Sequence, residues 1–202
     1  MRRSSALGLA LLAAGCATSS APPGESLAGA GRDALWTLHR ERVARVQDWY
    51  LAGRMALATP EEGWNAALYW TQNEEHYSLR VVGPLGQGSY GLDGGPNRVV
   101  MRTPDRLTLT AEDPESLILA QLGWTLPVFG LRYWVRGIPE PRAPVAAMTV
   151  DDRGRMTELE QSGWRISVLG YEARNGLDLP SKLFLRTDRF KVRLVVERWA
   201  SG

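Results

Sequence analysis

Lysine, histidine and cysteine are scarce in this chain. Its 202 residues include one cysteine, Cys16, two lysines, Lys182 and Lys191, and two histidines, His39 and His76. The histidines fall on different elements and no zinc-ligand spacing is present, so no metal site or cofactor is expected. No Gly-x-Ser-x-Gly elbow occurs, and Gly88-Ser89-Tyr90-Gly91 lacks its pattern. Gly86-Gln87-Gly88 is not followed by the Lys-Ser/Thr of a phosphate loop. Basic residues number 24 and acidic ones 22, and without Arg2 and Arg3 the two balance. A dedicated nucleic-acid binder carries a basic excess that is missing here. The longest apolar run, Ala6 to Ala14, is far short of the roughly 20 residues a spanning helix needs. These absences point away from an enzyme.

What is present at the start reads as an address. Arg2-Arg3, the short run Ala6–Ala14 and the small residues Ala14-Gly15 before Cys16 have the order of a secretory signal, expected over 1–15. A lone cysteine after small residues resembles the bacterial lipobox, although Ala13 stands where leucine is favoured. Cys16 is therefore the expected lipidation site, and two or three acyl chains, at ~0.8 kcal/mol per buried CH₂, hold a protein firmly to a bilayer. Ala17, in place of the aspartate that favours inner-membrane retention in enteric-type sorting, points to the outer membrane. Residues 16–32, rich in Ser, Ala, Pro and Gly, read as a flexible tether, leaving 33–202 as one domain.

Within that domain a helix is expected from Asp33 to Asp48, with Leu35, Leu38, Val43 and Val46 at helical spacing. Period-two alternation then predicts strands at Trp49–Ala58, Trp64–Thr71, Tyr77–Val81, Ser89–Leu92, Arg98–Arg102 and Arg106–Thr110. Asp113-Pro114-Glu115 starts a second helix that Gly123 stops, and Pro127–Val135 reads as a third. Strands return at Ala147–Val150, Arg155–Glu160, Trp164–Leu169, Lys182–Arg186 and Phe190–Trp199. Asp151-Asp152 reads as a solvated hairpin turn, and Arg54, among apolar strand residues, as a structural residue paired with a carboxylate or with carbonyls. The expected fold is mainly β (α+β): one curved antiparallel sheet of about eleven strands, forming an incomplete barrel lidded by three helices.

Several short motifs occur in one order: Trp49…Gly53-Arg54, Gly63-Trp64…Trp70…Gln72, Gly83-Pro84-Leu85-Gly86, Asp113-Pro114-Glu115, Leu122-Gly123-Trp124…Pro127, Leu131-Arg132-Tyr133-Trp134-Val135-Arg136-Gly137, Gln161-Ser162-Gly163-Trp164 and Trp199. Together they resemble the outer-membrane lipoprotein receptor family, LolB, from about Trp36 to Trp199. The resemblance implies an eleven-stranded half-barrel with an apolar cavity. It implies a lipid-anchored protein of the outer membrane, facing the periplasm, that accepts lipoproteins from the soluble carrier LolA and places them in outer-membrane phospholipid. A monomer with no nucleic-acid partner is expected.

Candidate cavity residues are the inward-alternating Leu51, Met55, Leu68, Trp70, Leu79, Val81, Leu92, Leu107, Leu109, Val192, Leu194 and Val196, with Leu117, Trp124, Phe129 and Trp134 from the helices. The same alternation serves a filled core, and pattern alone does not separate filled from hollow. The turn Gly83-Pro84-Leu85-Gly86 holds one large apolar side chain, Leu85, whose burial in lipid would release roughly 1.5–3 kcal/mol. The resemblance makes Leu85 a membrane-probing residue; a turn leucine folded back on its own sheet is the alternative. Arg40, Arg42, Arg45, Arg132 and Arg136 form candidate carrier-docking clusters, or else a solvated helix face. Eight tryptophans also fit a carbohydrate-binding envelope protein, which needs them exposed in a row, and a structural lipoprotein needs a filled barrel.

Overall fold

A computed structural model of the chain describes residues 23–60, 62–84, 88–123 and 126–201. The elements run α1 (Pro23–Ala44), β1 (Trp49–Ala58), β2 (Gly63–Asn73), β3 (His76–Val82), β4 (Ser89–Gly94), β5 (Val99–Arg102), β6 (Thr108–Ala111), α2 (Pro114–Leu122), α3 (Val128–Trp134), β7 (Val145–Val150), β8 (Met156–Gln161), β9 (Trp164–Arg174), β10 (Leu177–Arg186) and β11 (Lys191–Ser201). The strands form one eleven-stranded sheet in the order β6-β5-β4-β3-β2-β1-β11-β10-β9-β8-β7. Every pairing is antiparallel.

That strand order dictates where the helices go. β6 and β7 are the two edges of the sheet, yet they are consecutive strands. The chain between them, which carries α2 and α3, must cross from one edge to the other. It does so over the concave face, where Leu117, Leu126, Leu131, Trp134 and Val135 join the core. The sheet alternates as the sequence predicts: along β1, Trp49, Leu51, Gly53, Met55 and Leu57 are buried and the residues between them are not.

Local chemistry explains most boundaries. Asp113 caps α2 by accepting from the Ser116 N–H at 2.8 Å and the Ser116 hydroxyl at 2.6 Å, and these hydrogen bonds hold its carboxyl below the ordinary range. Pro114 takes the first helical position, and Gly123, at φ 73°, ends the helix with its N–H on Leu119 O. Gly53 sits where the β1–β11 register shifts, and a Cβ there would lie 2.2 Å from the Val195 carbonyl oxygen, so that bulge admits only glycine.

Buried tryptophans are held by side-chain amides. Gln161 Oε1 accepts from Trp134 Nε1 at 2.8 Å and from the Glu140 N–H at 2.9 Å, while its Nε2 donates to the Glu140 and Ala143 carbonyls. Gln72 Oε1 accepts from Trp70 Nε1 at 3.0 Å, and its Nε2 donates to Glu74 and His76 carbonyls. Removing either glutamine would strand several buried groups at once.

The structure corrects several expectations. α1 starts at Pro23 and not Asp33, so ten residues whose composition suggests a tether are helical; Ala, Leu and Glu are strong helix formers and Pro is at home at a helix start. Its buried face is Trp36, His39 and Val43, while Leu35 and Leu38 are exposed. Leu107 lies in the turn before β6 and is 51% exposed, because the Thr103 N–H and hydroxyl close a loop on its backbone. Asp151 is not simply solvated: it accepts from Arg155 at 2.7 Å and from two backbone N–H groups of its own turn. Arg54 pairs with Glu197 at 2.6 Å on the outer face, as expected.

α1 docks through that same turn. A Cβ on Gly154 would meet the Leu35–Trp36 backbone at 2.4 Å. Next to it His39 packs edge-on to Tyr171, whose hydroxyl donates to Met156 O at 2.6 Å and whose ring lies under Arg155. His39 Nε2 is buried without a partner. Burial, the largest cause, holds its pKa below 6.5; Arg155 and Arg42 push the same way, and Asp178 and Asp151 oppose them. A histidine lowered in the folded state contributes full stability above the unfolded value and loses it as pH falls below. We expect the thermal midpoint to drop between about pH 7.5 and about pH 5.5, a window above the carboxylate range. His39→Gln should flatten that drop, as read by circular dichroism melts at both pH values.

Candidate functional site

Between the sheet and α3 lies an enclosed space lined by Met55, Leu68, Trp70, Leu79, Val81, Leu126, Leu131, Val135, Leu185, Val192 and Leu194. No polar atom is exposed in it. Its volume is about 30 Å³, enough for a water molecule or two and far too little for a fatty tail. The hollow that the sequence resemblance implies is thus nearly filled, and the filling comes from the lid: Leu126, Leu131 and Val135.

Seven of the predicted lining residues meet in this space: Met55, Leu68, Trp70, Leu79, Val81, Val192 and Leu194. Leu51, Leu92, Leu117, Trp134 and Val196 are buried in the surrounding core, and Leu109 packs against it half-buried. Two predicted residues do not face inward. Leu107 is exposed in its turn, and Phe129 is 40% exposed, because α3 turns Val128 and Leu131 toward the sheet instead. Trp124 lies outside the described residues. Leu126, Leu131, Val135 and Leu185 line the space without having been expected there. Leu131 and Val135 stand four apart on α3, the spacing of one helical face, so the sequence does carry a signal for them.

The lid is fastened by a small set of polar contacts. Arg132 donates to the Glu74 carbonyl, and the Phe129 N–H to Glu115 Oε1 at 3.3 Å. Arg136 donates to Val46 O at 2.7 Å and, through Nε, to Arg132 O at 2.9 Å. Its guanidinium lies 5.2 Å from the Tyr133 ring centroid and 6.0 Å from that of Trp49. Arg136 is 3% exposed and has carbonyls but no carboxylate in reach among the described residues. Burial, with Arg132 beside it, brings its pKa down to about 10. Arg132 Nε, Trp49 Nε1 and the Tyr77 hydroxyl are buried without partners nearby. Arg136 therefore cannot serve as a docking residue in this conformation. Arg40 and Arg42 on α1 and Arg45 just after it are exposed, with Arg42 donating to Gly176 O at 2.6 Å, and Arg132 is half-buried.

The turn after β3 is closed at its base by the Gly83 N–H donating to Gly88 O at 3.0 Å. Gly88 has φ 96°, and a Cβ there would lie 2.4 Å from Pro104. Leu85 and Gly86, like Cys16, lie outside the described residues. The described tryptophans are buried or, for Trp64, half-buried, so they form no exposed row for sugar stacking. No group of three or more metal-ligating side chains occurs among the described residues.

A family model described as "Outer membrane lipoprotein LolB" matches residues 47–199. An outer-membrane lipoprotein LolB of Stutzerimonas stutzeri is 38% identical over 191 residues, covering 95% of this chain and 91% of that protein. One of Nitrosococcus oceani is 39% identical over 167 residues, 83% of each. Among solved structures, a LolA superfamily protein of Nitrosomonas europaea superposes with a TM-score of 0.52 at 5% identity, over 83% of this chain and 92% of that one. A DUF1329 family protein of Desulfovibrio piger gives 0.52 at 8%, over 87% and 93%. At such identities the structures show a shared fold.

Leu131 is the lid residue to shorten. Leu131→Ala should cost about 2–5 kcal/mol of stability and enlarge the enclosed space. We expect it to raise binding of a fluorescent fatty acid, measured by titration alongside urea unfolding.

Proposed function

Since the chain belongs to the LolB family of outer-membrane lipoproteins, we propose that it accepts the acyl chains of other lipoproteins from the soluble periplasmic carrier LolA. It holds them between sheet and lid and releases them into outer-membrane phospholipid. The family is one of lipoprotein-transport receptors and not of enzymes. The observation that carries the proposal is a wholly apolar space closed by a segment that joins the two sheet edges. One 16-carbon tail left in water costs on the order of 12 kcal/mol, and a dry site under a movable cover removes that cost.

The cover has the features of something that moves. It is short, its fastening at the rim is a buried guanidinium without a described counter-charge, and several buried polar atoms at its seat lack partners. Opening returns these groups to water, which offsets part of the apolar burial that the lid gives up. An entering acyl chain replaces the rest. Direction then follows from affinity: the carrier holds cargo less tightly than this protein, and this protein less tightly than the membrane.

Two ends of the chain's chemistry serve the membrane side. Cys16 is the proposed lipid anchor, keeping the domain on the periplasmic face of the outer membrane. Leu85, in the turn whose base Gly83 and Gly88 close, is the proposed contact with lipid during release. Arg40, Arg42 and Arg45 are the proposed docking cations for the carrier. The described tryptophans, buried or half-buried, speak against the carbohydrate alternative, and membership of a lipoprotein-transport family speaks against a purely structural lipoprotein even though the space is nearly filled.

Leu85→Glu should leave uptake from the carrier intact and slow delivery into membranes by about tenfold or more, the equivalent of losing 1.5–3 kcal/mol of burial. Transfer of a labelled lipoprotein into vesicles measures this, and normal delivery would remove the role given to Leu85. Cys16→Ala should abolish membrane anchoring, seen by fractionation, while uptake persists in solution.

A further inference from the structure

The strand register places a row of charges on the outer face of the sheet. Glu160 stands opposite Arg165, Arg165 opposite Arg186, and Arg186 opposite Lys191. Arg193 lies two residues further along β11 on the same face. All four cations are exposed. Arg165 is held by Glu160, with Nε 2.6 Å from its carboxylate. No described carboxylate lies within ion-pair distance of Arg186, Lys191 or Arg193. Like charges directly opposite on adjacent strands repel and destabilise a sheet. A chain with only two lysines that places one of them opposite an arginine tolerates this repulsion, and an anion seated in the row would reverse its sign.

Two grooves flank the row, and the second reaches Gly83 and Pro84 at the base of the turn. Arg165, Arg186 and Lys191 line a groove of about 450 Å³ together with Ser162, Thr187 and two carboxylates, Asp188 and the Glu160 that holds Arg165. Arg193 and Arg54 border a second, of about 560 Å³, whose largely apolar wall includes Ala56, Val82, Gly83 and Pro84. The base of the turn and the cations thus share one surface. A bilayer of anionic phospholipid presents phosphates at its surface and hydrocarbon just beneath, which matches cations beside an apolar turn. An acidic protein surface would match the cations but offers nothing for the turn to enter.

We infer that Arg186, Lys191 and Arg193, with Arg165, form a band that binds phospholipid phosphates and sets the angle at which the molecule meets the membrane. This deepens the reading of Leu85 as a lipid-contacting residue and rests on it. All described elements lie within 23–201, so the test uses the mature chain from residue 16 with Cys16→Ala. It is sedimented with vesicles of phosphatidylcholine alone and with vesicles containing phosphatidylglycerol, at low and high salt. The unsubstituted chain should favour the phosphatidylglycerol vesicles, more so at low salt. Arg186→Gln/Lys191→Gln/Arg193→Gln should weaken that binding about tenfold or more and leave association with phosphatidylcholine unchanged. Its thermal midpoint should change little, because the repulsion removed offsets the lost contact of Arg193 with the Phe184 ring. Leu85→Glu should weaken association with both kinds of vesicle. An unsubstituted chain without preference for phosphatidylglycerol, or a triple variant that keeps it, overturns the band. A triple variant that binds vesicles normally but takes up cargo from the carrier more slowly also overturns it, giving the surface to a protein partner. Unchanged phosphatidylcholine binding by Leu85→Glu removes the turn's role instead.

Discussion

β6 and β7 close nothing against each other. They are the free edges of a sheet whose other nine strands are paired on both sides, and the chain has to travel from one to the other. A backbone that crosses an apolar concave face must bury apolar side chains there and satisfy its own polar groups. α2 and α3 do the first with Leu117, Leu131, Trp134 and Val135. Gln161, Arg132 and Arg136 do the second by reaching Trp134 and the carbonyls at the rim. The lid is therefore a consequence of the topology and not an ornament added to it.

The same constraint separates a continuous sheet from the segment laid across it. β1 and β11 run together for ten or eleven residues at the middle of the sheet, pinned by the bulge at Gly53 and by the contacts of Trp49 with Trp70 and Trp199. Lid and sheet share only apolar side chains and a few hydrogen bonds to carbonyls. Dispersion and burial are not directional, so the exchange proposed above, acyl chain for lid, needs no matching polar partner. Membership of the LolB family agrees with that proposal.

At the opposite surface the demands invert. There the strands present Arg165, Arg186, Lys191 and Arg193 beside small apolar residues and the Gly83-Pro84 turn. One sheet thus carries two contrasting faces: a dry apolar inner one and a charged outer one.

Much of this is written locally in the chain. Alternation along Trp49–Ala58, the Asp113–Pro114 cap and the Gly123 stop each fix an element through neighbours two to four residues away, and the structure reproduces them. Four departures share a cause. Arg136 is charged yet buried, Leu107 and Phe129 are apolar yet exposed, and the run from Pro23 has a tether's composition yet is helical. In the first three, a tendency of the residue type is overruled by contacts distant in sequence or by a turn; in the last, local helix propensity outweighs the composition. Whether the half-barrel is hollow belongs to the packing of the whole molecule. Empty volume is the small remainder between a concave surface and the side chains that cover it, and identical alternation produces both surfaces whether or not they touch. Residue order thus settles an apolar inner face and a connection long enough to cross, while the basic outer row exists only through the strand register. That the space is shut depends on how Leu126, Leu131 and Val135 meet a sheet whose strands lie far from them in the chain.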